Sequence, residues 1–314
     1  MNKTVRQVAL PIITAFIWGS AFIAQGMVTD SIGTFTFNAA RSIIAVVLLF
    51  GLCLILDFNR KRKAKLSGVE AEKTDLKSLI IGGTICGVLL FVASNLQQYA
   101  IQGNLDGSNS EGIVAFITAF YMILVPIIGI FSGKKNGLNV WISALIGLVG
   151  LYFVCVDKSL TINIYNLSAL GCAVTFAFHI IVVDKYSQKV DCIKLSCMQF
   201  LVNLLLSGVS ALIFETIDLA AIGESILPVL YVGVFSSTIA YTLQIVAQKG
   251  TNPTIVSVLL CLESVFALLV QTVMTLISGS ENFLSTMQYV GCGIMFLAVV
   301  LTQIDFRAIF KKRT

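Results

Sequence analysis

Residues Ser257–Ile277 read SVLLCLESVFALLVQTVMTLI, and one carboxylate, Glu263, interrupts an otherwise apolar stretch. An α-helix of about 20 residues crosses the roughly 30 Å hydrocarbon core of a bilayer. The chain contains ten apolar stretches of about this length, which we number as spans 1 to 10 in chain order. They are 8–28, 33–56, 78–102, 111–131, 138–156, 164–183, 195–214, 224–247, 253–277 and 285–304. We therefore predict an all-α integral membrane protein with ten transmembrane helices.

The composition agrees with a membrane protein. Of the 314 residues, 57% are hydrophobic and only 12% are charged, which is about half the charged fraction of a soluble domain. Ten spans with short connections leave no room for a separate soluble domain. The net charge of +5 therefore does not indicate nucleic-acid binding, because the positions of the charges follow the predicted spans.

These positions predict the orientation in the membrane. With the N-terminus inside, 19 of the 21 Lys and Arg residues fall in inside segments, Lys158 falls outside, and Arg41 lies within span 2. The positive-inside rule then places both termini in the cytoplasm, and we expect a multi-pass protein of the plasma (cytoplasmic) membrane. We interpret the basic tract 60–65 as a topology anchor, with binding of lipid head groups as the alternative.

The two halves of the chain resemble each other at a weak but ordered level. Residues 18–22 of span 1 align with 176–180 of span 6 at an offset of 158, and the same offset places Arg41 opposite Gln199. Offsets of 147 and 142 align span 3 with span 8 and span 4 with span 9. The offsets change only in connections, as expected of a duplicated unit.

An odd number of spans per unit has a topological consequence. The second five-span unit must cross the membrane upside down relative to the first, which is the inverted-repeat architecture of many secondary transporters. We therefore predict two inverted five-helix repeats, at residues 1–157 and 158–314.

Several motifs together resemble the EamA family of the drug/metabolite transporter superfamily. The motifs are WGSAF (18–22), FNAARSIIAV (37–46), ITAFYMILVPIIG (117–129), GLVGLYFV (147–154), LLCLESVFALLV (259–270) and VGCGIMFLAVV (290–300). The resemblance covers nearly the whole chain and implies a ten-helix transporter of small metabolites such as amino acids, often moved outward. The family commonly has Glu-Pro in span 9, whereas Ser264 follows Glu263 here. Because Pro126 occurs in span 4, we expect any helix break to differ between the halves.

Glu263 is the first candidate site residue. It lies ten residues, or about 15 Å, into span 9 and hence near the bilayer midplane. A charged carboxylate costs about 2.5–3.5 kcal/mol there on insertion scales, so it must face a cavity, a partner or water, or be protonated. We expect it to recognise a substrate ammonium group or to exchange protons. The alternative is a hydrogen-bonded strut between helices.

Arg41 is a candidate partner for Glu263. It lies about 12 Å into span 2 from the outside, and its guanidinium stays charged and requires an acceptor. Glu263, a helix carbonyl and a substrate carboxylate are the alternatives. A purely structural role in the family motif stays open.

Other polar residues inside the spans complete the candidate set. Tyr121 occupies the position in span 4 that Glu263 has in span 9. His179, the only histidine, is a proton relay or an interhelical donor, and Trp18 either closes a cavity or fills core volume. Two polar segments at matched positions either line a cavity or hold helices together; they are Asn95, Gln97 and Gln98 in span 3 and Tyr241 and Gln244 in span 8.

Enzymatic signals are weak throughout the sequence. Residues 129–135 resemble a Walker A loop only superficially, and no zinc-protease or nucleophile-elbow motif occurs. We expect no cofactor, no metal and no catalytic residue. The prediction is a secondary transporter, exporting a small polar metabolite such as an amino acid or amine by alternating access, with proton coupling as an option. The alternatives are a passive facilitator or channel, and a membrane assembly factor with a transporter fold.

Overall fold

The computed structural model describes residues 3–67, 74–103, 114–115, 117–131, 133, 137–155, 164–278 and 285–302. These residues form helices and their connections, with no β-strand among them. The chain ends at 1–2 and 303–314 and the connections at 104–113, 134–136 and 156–163 lie outside the described residues. Of the 19 Lys and Arg residues that predict the orientation, seven are not among the described residues, namely Lys73, Lys134, Lys135, Arg307, Lys311, Lys312 and Arg313.

The helices follow the predicted spans closely, with interruptions in spans 4, 8 and 9. The elements are α1 (Lys3–Gly26), α2 (Thr34–Ser67), α3 (Leu76–Gln102), α4 (Tyr121–Phe131), α5 (Leu138–Cys155), α6 (Ile164–Ser187), α7 (Cys192–Phe214), α8 (Leu219–Glu224), α9 (Ile226–Tyr231), a π-helix (Val232–Ala240), α10 (Tyr241–Gln248), α11 (Pro253–Leu260), α12 (Leu262–Ser278) and α13 (Thr286–Thr302).

In the part of the chain that the structure describes, seven helical segments are long and apolar enough to cross a membrane, namely those of spans 1, 2, 3, 6, 7, 8 and 9. Spans 4, 5 and 10 appear as shorter apolar helices, at Tyr121–Phe131, Leu138–Gly150 and Thr286–Leu301. Helices satisfy their own backbone hydrogen bonds, which hydrocarbon requires of any spanning segment. The protein is therefore an all-helical, multi-pass membrane protein, and the count of ten transmembrane helices stays a prediction.

The helices pack in a consistent set of pairs. The most extensive contacts join α5 to α13, α2 to α7, and α3 to both α6 and α7. In addition, α1 packs on α12, on α10 and on the π-helix, while α4 packs on α6. Large apolar side chains on the outward faces are exposed, as lipid contact requires; examples on α2 are Leu54, Ile55 and Phe58.

Short polar side chains begin several helices by accepting hydrogen bonds from backbone amides that lack a helical partner. Asp75 accepts from Ser78 N, Asp191 from Ile193 N, and Asn252 from Thr254 N, at 3.1, 2.9 and 2.9 Å. These caps define where α3, α7 and α11 start.

The start of α2 is capped from a distant part of the chain. The Glu215 carboxylate, which follows α7, accepts from Phe35 N, Thr36 N and Thr36 Oγ1 at 2.9, 2.8 and 2.7 Å. Gly33 makes room for this contact, because a Cβ at that position would overlap the carboxylate. Glu215 therefore ties the beginning of α2 to the end of α7.

Replacing Glu215 by alanine is expected to destabilise the protein by about 1–2 kcal/mol, because the first turn of α2 loses its cap. A loss of this size lowers the melting temperature by about 2–8 °C. The measurement is thermal unfolding of the purified protein in detergent. The matched control is Glu224→Ala, which removes an exposed carboxylate nearby. Equal melting temperatures for the two variants would show that the cap contributes nothing.

Candidate substrate site

A buried polar cavity lies at the centre of the helical assembly. The space open to the centre of a water-sized sphere is about 20 Å³, which holds about one water molecule, so a metabolite requires the cavity to widen. Its lining comes from both halves of the chain. The lining residues are Trp18, Ala21, Phe22, Gln25, Arg41, Gln97, Thr118, Tyr121, Phe176, Ile180, Ser236, Tyr241, Gln244 and Glu263.

A break in span 9 places Glu263 at the start of a helix. α11 ends at Leu260, Cys261 forms a turn, and α12 begins at Leu262, so Glu263 lies in the first turn of α12. Cys261 keeps a helical backbone conformation and Ser264 N donates to Cys261 O at 3.3 Å, so the break is a single tight turn within span 9. Glu263 is only 3% exposed, and its Oε1 accepts a hydrogen bond from the Tyr121 hydroxyl at 3.0 Å.

Span 4 is interrupted at the corresponding place. Ala119 and Phe120 form a turn and α4 begins at Tyr121; adding the offset of 142 to Ala119 gives Cys261, where span 9 breaks. The two breaks touch, since Cys261 Sγ lies 3.5 Å from Ala119 O, although its nearer acceptor is Ser257 O at 3.2 Å. The breaks in spans 4 and 9 therefore occur at matched positions and not at Pro126, which lies inside α4, whereas the interruption of span 8 has no counterpart in the continuous α3.

Gly19 brings α1 against the start of α12. A Cβ on Gly19 would lie 2.5 Å from Glu263 O and 2.7 Å from Ala267 N, which is closer than side-chain carbons pack. The glycine of the WGSAF motif therefore allows the helix backbones to touch beside Glu263. This close approach also positions the neighbouring residue, Trp18, at the cavity.

Arg41 enters the same cavity from α2. It is 2% exposed, its Nε donates to Ser237 Oγ at 3.0 Å, and its guanidinium lies beside the Tyr241 hydroxyl. Ser237 belongs to the π-helix, an uncommon element often found at functional sites. In the described part of the chain, Arg41 and Glu263 form no ion pair with each other.

Three polar atoms on the cavity lining are buried without a hydrogen-bond partner in the described residues. They are Trp18 Nε1, Gln25 Oε1 and Gln244 Oε1. A buried polar atom without a partner costs about 1–3 kcal/mol, and such atoms in native proteins are uncommon. The cavity therefore offers a donor and two amide oxygens, besides a carboxylate and a guanidinium, to whatever polar molecule enters it.

Seven of the ten residues predicted for the site line the cavity. They are Trp18, Arg41, Gln97, Tyr121, Tyr241, Gln244 and Glu263. The other three, Asn95, Gln98 and His179, are buried but lie outside its lining.

Asn95 belongs to a hydrogen-bond network that joins α2, α3 and α7. Asn38 Nδ2 donates to Asn95 Oδ1 at 3.1 Å, and Asn95 Nδ2 donates to Ser207 Oγ at 3.3 Å. Ser207 Oγ donates to Asn203 Oδ1 at 3.2 Å, and Asn203 Nδ2 donates to Ser42 Oγ at 2.9 Å. This is the helix-joining role that was the alternative for the span 3 residues.

Gln98 and His179 also contact neighbouring helices. Gln98 Nε2 donates to the backbone carbonyl of Gln25 at 3.3 Å. His179 Nε2 lies 3.0 Å from Gln199 Oε1, and its ring meets that of Tyr241 edge-on. His179 is thus next to the cavity-lining Tyr241, and its role as a proton relay stays a prediction.

Sequence reasoning missed several lining residues, of which Gln25, Thr118 and Ser236 are polar. Gln25 lies near the end of span 1, where a polar residue is expected at the boundary between the membrane and water. Ser236 begins the run Ser-Ser-Thr inside span 8, and this run was the signal available. The described residues contain no cluster of His, Cys, Asp or Glu that could hold a metal ion.

The fold and the cavity define a class: a multi-pass helical membrane protein with a buried polar site reached by residues of both chain halves. The chain matches the EamA-like transporter family twice, over residues 6–156 and 163–304. It belongs to that family, and it is a membrane transporter.

Two further similarities accompany the family match. A protein of Archaeoglobus fulgidus called an uncharacterized transporter is 26% identical over 296 residues, covering 93% of this chain and 84% of that protein. A protein of known crystal structure superimposes with a TM-score of 0.69 at 16% identity, covering 96% of each chain. This second similarity concerns the fold alone.

Proposed function

We propose that the protein is a secondary transporter that binds a small polar metabolite, an amino acid or a related amine, in the central cavity and moves it by alternating access. One observation carries this proposal: a carboxylate and a guanidinium, Glu263 and Arg41, line one small buried cavity without forming an ion pair. An acidic and a basic group that do not pair with each other in one site are complementary to a substrate that carries both charges.

The remaining lining supports the same substrate class. The substrate ammonium group binds at Glu263, and the substrate carboxylate binds at Arg41. Phe22, Phe176 and Ile180 provide apolar surface for a side chain. The free atoms of the cavity complete the hydrogen bonds of the substrate, which removes the cost of leaving them unpaired. Export is the direction expected from the family resemblance.

Two inverted repeats, 1–157 and 158–314, provide the two states of the transporter. The double family match supports this division, as do the pairs of related helices that pack on each other, α2 on α7 and α5 on α13. If a pseudo-two-fold axis relates the two repeats, a helix that lies next to the axis packs against its own counterpart from the other repeat.

A pair of mirror-related contacts supports the same symmetry. The carboxylate after α7, Glu215, contacts Thr36 at the start of α2, and Asp57 near the end of the membrane part of α2 contacts Lys194 Nζ at 2.8 Å at the start of α7. Adding the offset of 158 to Thr36 gives Lys194, and adding it to Asp57 gives Glu215. Each half thus contacts the other through a carboxylate at equivalent positions of the two repeats.

Glutamine side chains form the two gates. At the outer ends of α1 and α3, Gln102 Nε2 donates to Thr29 O and Ile32 O at 3.2 and 3.0 Å. At the opposite ends of α6 and α10, Gln248 Nε2 donates to Ile180 O at 3.0 Å. Each glutamine contributes one or two neutral hydrogen bonds to the closed state, worth about 1 kcal/mol each.

Single substitutions of the gate glutamines are expected to bias the transporter in opposite directions. Gln102→Leu opens the end formed by α1 and α3, and Gln248→Leu opens the end formed by α6 and α10. Hydrogen–deuterium exchange in detergent should rise about threefold to tenfold at the affected helix ends only. An identical exchange pattern for the two variants would contradict the gate assignment.

Glu263 offers a route for proton coupling. Water that enters the open cavity favours the charged carboxylate, whereas the closed cavity disfavours it. A proton bound in one state and released in the other would couple transport to a pH gradient. His179, next to the site, is a candidate to pass that proton.

The proposed location is the plasma (cytoplasmic) membrane with both termini in the cytoplasm. The charge distribution of the sequence supports it. A reporter fused after Thr314 should be active only on the cytoplasmic side, and activity on the other side would overturn the orientation.

Proteoliposomes with a metabolite mixture and an imposed pH gradient test the proposed function. We expect the depletion or accumulation of one or a few amino acids or amines, saturable with concentration. Non-saturable passage of many solutes would favour the facilitator alternative. The absence of any flux, with correctly folded protein, would favour the assembly-factor alternative.

A further inference from the structure

A second polar site lies where α2 leaves the membrane, far from the central cavity. α2 has 34 residues and is therefore about 51 Å long, well beyond the roughly 30 Å of hydrocarbon. Counted from Thr34, about 20 residues bring the helix to Cys53. This count places residues 57–63 at the level of the lipid head groups.

An open cleft faces this part of α2. Helix ends and turns of both chain halves surround it, and six basic and three acidic side chains give it a net charge of +3. The lining residues are Asp57, Arg60, Lys61, Lys63, Thr74, Asp75, Gln188, Lys189, Val190, Asp191, Lys194 and Lys249. We call this region the basic cleft.

The three carboxylates of the basic cleft already have partners. Asp57 pairs with Lys194 at 2.8 Å and Asp191 with Arg60 at 2.6 Å, while Asp75 caps α3. Burial raises the pKa of the Asp191 carboxyl, but the bonds from Arg60 and the α7 amides outweigh this and lower the pKa below its usual value. Asp191 therefore stays ionised and committed to Arg60 at neutral pH.

Four lysines of the cleft remain without a carboxylate in the described part of the chain. They are Lys61, Lys63, Lys189 and Lys249. Several ammonium groups around one opening create a strongly positive electrostatic potential. This potential attracts an anion, such as phosphate, that can bind several ammonium groups at once. We propose that the basic cleft binds the phosphate of an anionic phospholipid head group, an activity separate from the transport of the metabolite.

The position of the cleft favours a lipid over a soluble phosphate. The lipid-facing residues Leu54, Ile55 and Phe58 are 56%, 59% and 68% exposed and lie within one or two turns of the basic residues. Leu76 and Ile80 at the start of α3 are also exposed, at 63% and 48%. A phospholipid whose phosphate binds the lysines would thus have its acyl chains against the apolar faces of α2 and α3.

The test compares lipids that differ only in charge. Purified full-length protein in an uncharged detergent is titrated with short-chain phosphatidylglycerol, with phosphatidylcholine of the same chain length, and with inorganic phosphate, and binding is measured by native mass spectrometry and thermal shift. We expect phosphatidylglycerol to bind and stabilise the protein. Lys61→Gln/Lys63→Gln should weaken this binding roughly tenfold or more, and Lys189→Gln/Lys249→Gln should do the same from the other wall.

Lys65→Gln/Lys77→Gln is the matched control. Both residues are exposed close to the cleft but outside its lining, so this variant removes the same charge and should bind as the wild type does. Equal losses in control and cleft variants would overturn the proposal in favour of unspecific surface charge. Equal binding of phosphatidylcholine would overturn it in favour of chain contacts alone, and an equal effect of inorganic phosphate would overturn it in favour of a soluble ligand.

Discussion

Glu263→Gln is expected to reduce transport about 10- to 100-fold while leaving the protein folded and inserted. Glutamine keeps the shape and can still accept from Tyr121, but it cannot attract an ammonium group or exchange a proton. Hydrogen bonds to a charged group contribute about 1.5–3 kcal/mol, and 1.4 kcal/mol corresponds to a factor of ten. Initial uptake rates in proteoliposomes, normalised to inserted protein, provide the measurement.

Two controls separate a functional carboxylate from a strut. Glu224→Gln neutralises an exposed carboxylate on α8 and should transport normally. Tyr121→Phe removes the donor to Glu263 but keeps the charge, so a moderate loss is expected. If Glu263→Gln transports normally between pH 5 and 8, and only Glu263→Ala or Glu263→Leu misfolds, Glu263 is structural and the site assignment is wrong.

Arg41→Gln is expected to separate amino acids from amines. The variant loses the partner of the substrate carboxylate but can still hydrogen-bond to Ser237, so transport of an amino acid should fall about 10- to 100-fold. Transport of the corresponding decarboxylated amine should change less than about threefold. Glu263→Gln, in contrast, should impair both substrates.

The control for Arg41 is Arg62→Gln, which removes an exposed arginine from the other end of the same helix. Melting temperatures in detergent show whether Arg41→Gln is folded. An equal loss for amino acid and amine would contradict the assignment of Arg41 to the carboxylate, and it would favour the structural role.

Much of the site could be predicted because the depth of a residue in the membrane follows from its position along the span. Glu263 and Tyr121 have matched positions at offset 142, and the structure brings them within hydrogen-bond distance. The hydrogen-bond partners of these residues were harder to predict, because the number of residues along a span does not define the rotation of the helix about its axis. Arg41 bonds Ser237 rather than Glu263 for this reason.

The interruptions of the spans could not be predicted from local sequence. The run Leu259–Ser264 contains neither glycine nor proline, yet span 9 breaks at Cys261. The π-helix Val232–Ala240 likewise has no sequence signal beyond its small polar residues. Both lie at contacts across the repeats, Cys261 beside Ala119 and Ser237 beside Arg41, and such contacts form only when the whole chain is folded.

Counterflow in proteoliposomes distinguishes alternating access from a passive pore, because only a gated binding site can exchange one substrate molecule for another. Vesicles preloaded with an unlabelled substrate from the mixture experiment are diluted into labelled substrate, and uptake is compared with that of unloaded vesicles. Alternating access predicts saturable uptake that preloading accelerates several-fold, and that Glu263→Gln abolishes. Uptake that rises linearly with concentration and is indifferent to preloading would contradict the account.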